Sequence, residues 1–393
     1  MASETSSNLI TELKGQIMHV PDLLQFFTTW PSGGRNKYYK RLKARLDEIT
    51  QSVYLDETMR KRVIKQDFAF FISIWYPDAD WDELWSCALF TFWLFHTDDA
   101  QDEEQGSVSF DFAASCRYRQ QVVEYTKHCL GLCPTPSIFS RLTSWFLPGP
   151  TDDKGWANTI LACLGGSKST PAPSVPDSPN TVFKEFGENA QLTTSRVFRE
   201  LLHKEIKLYI KHCETEQKER LNGELSKNLE QYMQLRHWTS AVRPYGYITQ
   251  IGTDMRLPNW LMVCPEMQVL WDEWTIVILI INDILSCKKE LTGGVIHNAV
   301  PVMYNQGMSL DAVMRELVTR MEASRDRFDE AAMRVQKLAA SGGMNELSDR
   351  KRLQKYIDGL RTNATGTIEF CKLAPRYGTE KYFNEDGSMD VVL

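Results

Sequence analysis

The sequence predicts an all-α protein. Long segments place apolar residues at helical spacing, and several of them are apolar on most faces, as buried helices are. No sustained alternation of apolar and polar residues predicts a strand, and no glycine-rich strand–turn–helix phosphate loop occurs. Prolines and glycines separate the periodic segments. We therefore expect about ten or more helices in the 393 residues.

The N-terminal third is predicted to hold a lead-in and four helical segments. Residues 1–20 are the lead-in, and residues 36–60 are strongly charged with apolar residues at helical spacing, which is typical of an outer helix. Residues 67–75 are nearly all apolar, which predicts a buried helix. A Pro-Asp turn leads into a helix over 81–98, whose start an aspartate can cap, and residues 103–130 form a mixed helix.

A proline-rich stretch divides these helices from the remainder. Between about 131 and 180, prolines and glycines break any long element, and we interpret this stretch as a surface excursion. Later helices are predicted at 182–217, 225–239, 266–290, 310–340 and 347–370. We assign residues 1–60 as the N-terminal lead-in and outer helix of a single domain whose main helical part is 61–393.

Composition excludes several function classes. A net charge of −6 argues against a nucleic-acid-binding surface, which would need a basic face. The N-terminus lacks the features of a secretory signal, and the longest apolar run, residues 274–281, is too short for stable membrane insertion. Nine cysteines without a Cys-x-x-Cys pair predict reduced thiols. We therefore expect a cytoplasmic protein.

An aromatic run that ends in acids is the first candidate site. In the predicted helix, Asp98 and Asp102 are four residues apart, so their carboxylates lie on one face. Like charges at this spacing repel unless a cation lies between them. Hard cations such as Mg²⁺ bind carboxylates together with substrate phosphates. The alternative is a solvated acidic helix end, which also describes Glu103 and Glu104.

A second oxygen-rich face lies on the apolar helix 266–290. Asn282, Ser286 and Glu290 follow one another at intervals of four residues, so an amide oxygen, a hydroxyl and a carboxylate lie on one helical face. Three such groups on a hydrophobic helix are harder to explain as a solvated surface. Two oxygen-rich faces on two apolar helices suggest a shared metal cluster that holds a diphosphate.

These motifs resemble the paired metal motifs of class I terpene cyclases. Four elements occur in the order and spacing of that family: an acidic motif, a diphosphate-sensing arginine, a second metal motif and a terminal Arg-Tyr pair. In this sequence they are Asp98-Asp99-x-x-Asp102-Glu103, Arg236, Asn282-Asp283-Ile-x-Ser286-x-x-Lys289-Glu290 and Arg376-Tyr377. The resemblance covers roughly residues 60–380.

Two further segments are similar to fungal sesquiterpene cyclases of the presilphiperfolanol-synthase type. They are Trp75-Tyr-Pro-Asp-Ala and Gly293-Gly294-Val-Ile-His-Asn298. The sequence departs from the family at Phe370, where many members have tryptophan, and in the length of the proline-rich stretch. At Thr239 and Ser240 many members carry an acid or a glycine.

The resemblance implies an α-helical bundle of the class I terpenoid synthase fold with a central active-site cavity. It further implies a farnesyl diphosphate substrate, three Mg²⁺ ions and named residue roles. The implied metal ligands are Asp98, Asp102, Asn282, Ser286 and Glu290. The implied diphosphate-binding residues are Arg236, Lys289, Arg376 and Tyr377, and the residues that trigger ionisation are Arg236, Thr239 and Ser240. The candidate cavity residues are Phe71, Trp75, Phe92, Phe95, Trp238, Leu285 and Phe370. Asp99 is expected to support the site through a salt bridge.

Other interpretations of these residues stay open. Lys289 could be a helix-end charge, Arg376 could pair with a surface carboxylate, and each aromatic residue could simply pack in the core. At the level of function, the alternatives are a chain-elongating prenyltransferase, a protonation-initiated cyclase and a non-catalytic helical interaction protein. Within the cyclase interpretation, similarity to the 1,11-closing group suggests a humulyl-type product. A monomer or a homodimer is expected.

Overall fold

The computed structural model describes residues 4–102, 106–133 and 173–393. Side chains are described from residue 8 onwards within these ranges, except that of Asp102. Most of the predicted proline-rich excursion, together with Glu103 and Glu104, therefore lies outside the described residues.

Helices make up most of the described chain, which confirms the all-α prediction. The helices before the excursion are α1 Glu4–Leu13, α2 Tyr39–Val53, α3 Glu57–Gln66, α4 Phe68–Trp75, α5 Trp81–Asp102 and α6 Phe112–Cys129. Those after it are α7 Val182–Thr193, α8 Arg196–Asn222, α9 Leu229–Thr239, α10 Tyr245–Gly252, α11 Asn259–Val263, α12 Pro265–Thr292, α13 Ala299–Tyr304, α14 Leu310–Ser341 and α15 Leu347–Leu373.

Two predicted helices are each split by a capping residue. The segment predicted at 36–60 ends at Val53, and Asp56 begins a new helix by accepting a hydrogen bond from the Met59 amide at 2.7 Å. The segment predicted at 182–217 breaks at Thr194, and Ser195 caps α8 through the Phe198 amide. In both places a short polar side chain satisfies an amide at a helix start, and the apolar spacing did not reveal it.

The two ends of the chain form a small antiparallel sheet that the sequence did not predict. Strand β1, Ile17–Val20, pairs with strand β2, Met389–Val392, with Val20 opposite Met389. The predicted lead-in is thus partly a strand. Four residues are too short for an alternating pattern to stand out, and their partner lies at the other end of the sequence.

Helix α12 lies at the centre of the fold, where α14 and α15 pack against it. Its tryptophans 271 and 274 are fully buried. Their indole N–H groups donate to the Tyr356 hydroxyl at 2.7 Å and to the Leu360 carbonyl at 2.8 Å, both on α15. Buried polar groups need such partners, so these bonds fix α12 against α15. None of the described helices combines the length and apolar character that a bilayer crossing needs.

Candidate active site

A cavity of about 490 Å³ lies among α4, α5, α8, α9, α12 and α15. One group of lining side chains is apolar and largely aromatic, and the other is charged. Its volume falls within the range of roughly 300–1,000 Å³ that ligand sites occupy.

Most of the predicted site residues line this cavity. They are Phe71, Trp75, Phe95, Asp98, Arg236, Thr239, Ser240, Asn282, Ser286, Lys289, Glu290, Phe370, Arg376 and Tyr377. The side chain of Asp102 lies outside the described residues. Residues as far apart in the sequence as Phe71 and Tyr377 therefore meet around one space.

Three predicted cavity residues do not line it. Phe92 instead packs its ring near those of Tyr54 and Phe68, at centroid distances of 6.3 and 6.2 Å. Trp238 stacks on His212 at 5.3 Å, and Leu285 is buried outside the cavity walls. Trp238 and Leu285 each lie one residue from a lining residue, and neighbouring positions in a helix point about 100° apart, so closeness in sequence does not give the same face. Phe92 lies one helical turn before Phe95, where Tyr54 and Phe68 are its ring contacts.

The acidic end of α5 presents two aspartates with different surroundings. Asp98 accepts a hydrogen bond from the Tyr209 hydroxyl at 2.8 Å. Asp99 accepts from Gln66 at 3.1 Å and pairs with Arg376 at 3.4 Å, so the predicted salt bridge of Asp99 is present. Burial raises the pKa of Asp98 to about 6, and the charge of Asp99 adds to the rise. Burial also acts on Asp99, but Arg376 and Lys289 outweigh it and lower its pKa.

On α12, the predicted ligand face is directed into the cavity. The Asn282 side-chain oxygen accepts from Arg236 at 3.1 Å, and Glu290 accepts from Asn298 at 2.9 Å. The Ser286 hydroxyl is buried, and no described atom forms a hydrogen bond with it. An unsatisfied buried hydroxyl is costly unless something absent from the apo chain binds it.

The donor set therefore fits a hard divalent cation. Among the described side chains, no three histidines, cysteines, aspartates or glutamates converge as a metal cluster. A cation here would depend on the amide and hydroxyl oxygens of α12 as well as on carboxylates, and such oxygen ligands suit Mg²⁺.

Arg236 is anchored by a residue that the sequence interpretation gave no role. Its Nε lies 3.4 Å from Asp283, which is buried and also accepts from the Tyr232 hydroxyl at 2.6 Å. Burial raises the pKa of Asp283 to about 6, while Arg236 opposes the rise. Asp283 lies inside the second metal motif, directly after Asn282, and this position is the feature of the sequence that could have identified it as a site residue. Its contacts hold the guanidinium of Arg236 beside Asn282.

The chain after α9 enters the cavity wall in a strained conformation. Residues 239–242 line the cavity, and Ala241 has a φ of 58°, in the left-handed region that L-residues rarely adopt. Arg243 fixes the chain that follows α9 by donating hydrogen bonds to two residues of α12, Asp272 at 2.8 Å and Gln268 at 2.6 Å. Strain of this kind persists where surrounding contacts determine the backbone, often at functional sites.

Cationic side chains also line the cavity. Arg236, Lys289 and Arg376 all line it. Burial lowers the pKa of Lys289 to about 8, and the charge of Arg376 contributes. Burial raises the pKa of the Tyr377 phenol far above its usual value, so it remains a hydrogen-bond donor. Such a set is suited to a multiply charged anion, for which guanidinium groups offer paired donors.

Burial and the neighbouring Arg376 make the charged form of Lys289 unfavourable, which leads to a prediction for the metal-free protein. We expect Lys289→Met to raise the Tm of the protein at pH 7, because the folded state no longer has to hold a desolvated ammonium group beside the guanidinium of Arg376. Lys289 has a folded pKa below its unfolded value, so the unfolded state binds more protons between about pH 8 and 10.5 and the wild type recovers stability there. The Tm gain should therefore shrink above pH 8. Calorimetry at several pH values measures this, and an equal Tm at pH 7 would contradict it. The matched control is Lys351→Met, which removes an exposed cation on the surface of α15 and should leave the Tm unchanged.

Several lining or supporting residues were missed by the sequence analysis. Arg62, Glu216 and Arg220 line the cavity, and Tyr209 contacts Asp98. They lie on helices with many charged residues, where nothing in the local pattern separates a site residue from a solvated one. Only the tertiary packing that brings these residues to the cavity distinguishes them.

Comparison with known proteins supports the predicted resemblance. The family description "Terpene synthase family 2, C-terminal metal binding" matches residues 156–327. The sesquiterpene cyclase hepA of Aspergillus oryzae is 25% identical over 390 residues, covering 98% of this chain and 96% of that protein. The silphinene synthase peniA of Penicillium patulum is 24% identical over 392 residues, covering 99% and 91%. These matches confirm the resemblance to terpene cyclases.

Solved structures share the fold. The structure of 2-methylisoborneol synthase from Streptomyces coelicolor A3(2), in complex with Mg²⁺ and 2-fluoroneryl diphosphate, superimposes with a TM-score of 0.65. The sequence identity is 14%, and the match covers 88% of this chain and 95% of that one. The predicted α-helical terpenoid synthase fold is thus confirmed.

Proposed function

Since this chain carries a terpene synthase family domain, we propose that it is a Mg²⁺-dependent sesquiterpene cyclase. It would ionise farnesyl diphosphate, cyclise the carbocation and release diphosphate. The observation that carries the proposal is the meeting of Asp98, Arg236 and the Asn282/Ser286/Glu290 face around one partly aromatic cavity. The names of the fungal relatives support a fifteen-carbon substrate.

Two walls of the cavity would hold the metal. Asp98 and Asp102 would contribute carboxylates from α5, while Asn282, Ser286 and Glu290 would contribute from α12. We expect three Mg²⁺ ions. When bound, Mg²⁺ supplies Lewis-acid stabilisation of the departing diphosphate. The buried, unsatisfied hydroxyl of Ser286 supports this role for α12.

Four donors would bind the diphosphate oxygens: Arg236, Lys289, Arg376 and Tyr377. Arg236 and Arg376 are already held by Asp283 and Asp99, so the site orients them before substrate arrives. Pre-oriented donors stabilise developing negative charge more effectively than mobile ones. All four donors line the same cavity as Thr239 and Ser240, which supports our proposal that anion binding there triggers ionisation.

The aromatic side chains would surround the carbocation. The Phe71 ring lies 4.4 Å from that of Trp75, 4.9 Å from that of Phe370 and 5.6 Å from that of Phe95, measured between centroids. Each aromatic face can stabilise a nearby cation by about 0.5–2 kcal/mol. Apolar walls also exclude water, which would otherwise end the reaction early. We propose 1,11-closure to a humulyl-type product, in the cytoplasm, by a monomer or homodimer.

The direct test is to incubate the protein with farnesyl diphosphate and Mg²⁺ and to analyse volatiles by gas chromatography and mass spectrometry. Cyclic hydrocarbon or alcohol, formed without isopentenyl diphosphate and abolished by a chelator, is the expected result. Longer prenyl diphosphates, made only when isopentenyl diphosphate is added, would indicate a chain-elongating prenyltransferase. No diphosphate release from geranyl, farnesyl or geranylgeranyl diphosphate would favour a non-catalytic interaction protein.

A further inference from the structure

The acidic end of α5 is electrostatically unfavourable as an isolated helix end. A helix carries partial negative charge at its C-terminus, where cations are favourable and carboxylates are not. Helix α5 nevertheless ends with Asp98, Asp99 and Asp102, and its last turn contains no basic residue. Its last carbonyls also lack partners within the helix. The charge and the donors that this end needs must come from elsewhere in the fold.

Helix α8 supplies a positive charge and hydrogen-bond donors to the end of α5 through Arg220. Its Nη2 donates to the carbonyl of Gln101 at 2.6 Å and to that of Ser109 at 3.3 Å. The first bond lies in the last turn of α5, between Asp98 and Asp102. The second reaches the turn that follows the acidic segment, so one guanidinium bridges both.

Gln217 extends the same contact. Its amide nitrogen donates to the Ser109 carbonyl at 3.0 Å and to the Ser115 hydroxyl at 2.8 Å, and its oxygen accepts from Arg119 at 2.8 Å. Arg119 also donates to the Gln101 side chain at 3.3 Å. Gln101 and Gln217 are fully buried. Apart from the Arg119 Nε, which lies 3.8 Å from Glu214, these buried polar groups are hydrogen-bonded, and a network of this kind holds its backbone partners rigidly.

Tyr209 completes the arrangement by donating to Asp98 at 2.8 Å. Tyr209, Gln217 and Arg220 are 8 and 11 residues apart on α8, which places them on one helical face. We call these three residues the α8 stripe. Together they contact the Asp98 side chain, the last turn of α5 and the turn after it.

We propose that the α8 stripe positions the acidic end of α5, with Arg220 acting as a C-terminal cap supplied by another helix. It thereby presents Asp98 to a cation bound with diphosphate. This inference rests on the proposed function for the identity of the cation and anion. Arg220 and its partners are positioning residues, since they act through α5.

The first test uses the metal-free protein. In Arg220→Met, which retains much of the side-chain volume, we expect amides in the last turn of α5 and in residues 106–109 to exchange hydrogen for deuterium roughly tenfold faster. Arg220→Lys restores the charge and one donor and should recover part of the protection. The matched control is Lys218→Met, which removes an exposed cation two residues away on the same helix. It should leave this exchange unchanged.

The second test measures metal-dependent anion binding. Inorganic diphosphate is titrated calorimetrically into each variant across a range of Mg²⁺ concentrations. Groups that orient ligands typically change metal affinity by about 10- to 100-fold, so the half-saturating Mg²⁺ concentration should rise by at least tenfold in Arg220→Met. Tyr209→Phe, which removes a single hydroxyl, should raise the half-saturating Mg²⁺ concentration to a smaller extent. Hydrogen–deuterium exchange in the rest of α5 should not change in this variant.

The outcomes separate this inference from the proposed function. Unchanged exchange and unchanged Mg²⁺ dependence in Arg220→Met would overturn the inference, as would an equal change in Lys218→Met. If Arg220→Met fails to fold, Tyr209→Phe and Arg220→Lys decide the question, and wild-type Mg²⁺ dependence in both overturns it. If the wild type shows no Mg²⁺-dependent diphosphate binding, the proposed function fails, while the exchange experiment still decides whether Arg220 holds the helix end.

Discussion

Asn282→Ala should reduce kcat by roughly three orders of magnitude with farnesyl diphosphate and Mg²⁺, since removing one group that stabilises developing charge costs about 10²–10³ and the proposed metal ligand is lost as well. The substitution removes the amide oxygen from the α12 face and deprives Arg236 of an acceptor at 3.1 Å. Steady-state measurement of diphosphate release, with product analysis, checks this.

The fold should survive this change. Asn282 is only partly buried, and Asp283 continues to anchor Arg236. The matched control is Asn305→Ala, at an exposed asparagine just after α13, which should retain full turnover. Near-normal activity of Asn282→Ala would refute the metal assignment of α12. A parallel loss of Tm would instead attribute the effect to folding.

Asp98→Ala should have an effect of similar size, about 10²–10³ in turnover, because it removes a carboxylate that faces the cavity. The metal-free protein should keep or gain stability. Burial and the charge of Asp99 raise the pKa of Asp98 to about 6, so near neutral pH its ionised form is held at a cost that the alanine variant lacks. Turnover assays and thermal unfolding measure the two effects.

Opposite changes in activity and stability distinguish a ligand from a structural residue. Asp78→Ala, at an exposed aspartate in the turn before α5, is the matched control and should alter neither quantity. Full turnover of Asp98→Ala would remove α5 from the metal site. Asp99→Asn should act differently, since it weakens the pair with Arg376 and is expected to lower Tm.

The sequence alone determined the fold class and most of the candidate site residues that line the cavity. Helical spacing of apolar residues depends on the local 3.6-residue period, which is why α4, α12 and α14 were found close to their observed bounds. The face shared by Asn282, Ser286 and Glu290 follows from the same period. The paired order of the motifs then pointed to one family.

Only the tertiary structure decided which side chains reach the cavity and what holds them there. Trp238 lies next to Thr239 in sequence and Phe92 one helical turn before Phe95, yet neither lines the cavity, because the packing of the helices decides which side chains reach it. Arg220 looked like any charge on a long polar helix until its packing placed it at the end of α5. Contacts between residues more than a hundred positions apart leave no local period, so packing alone could reveal them.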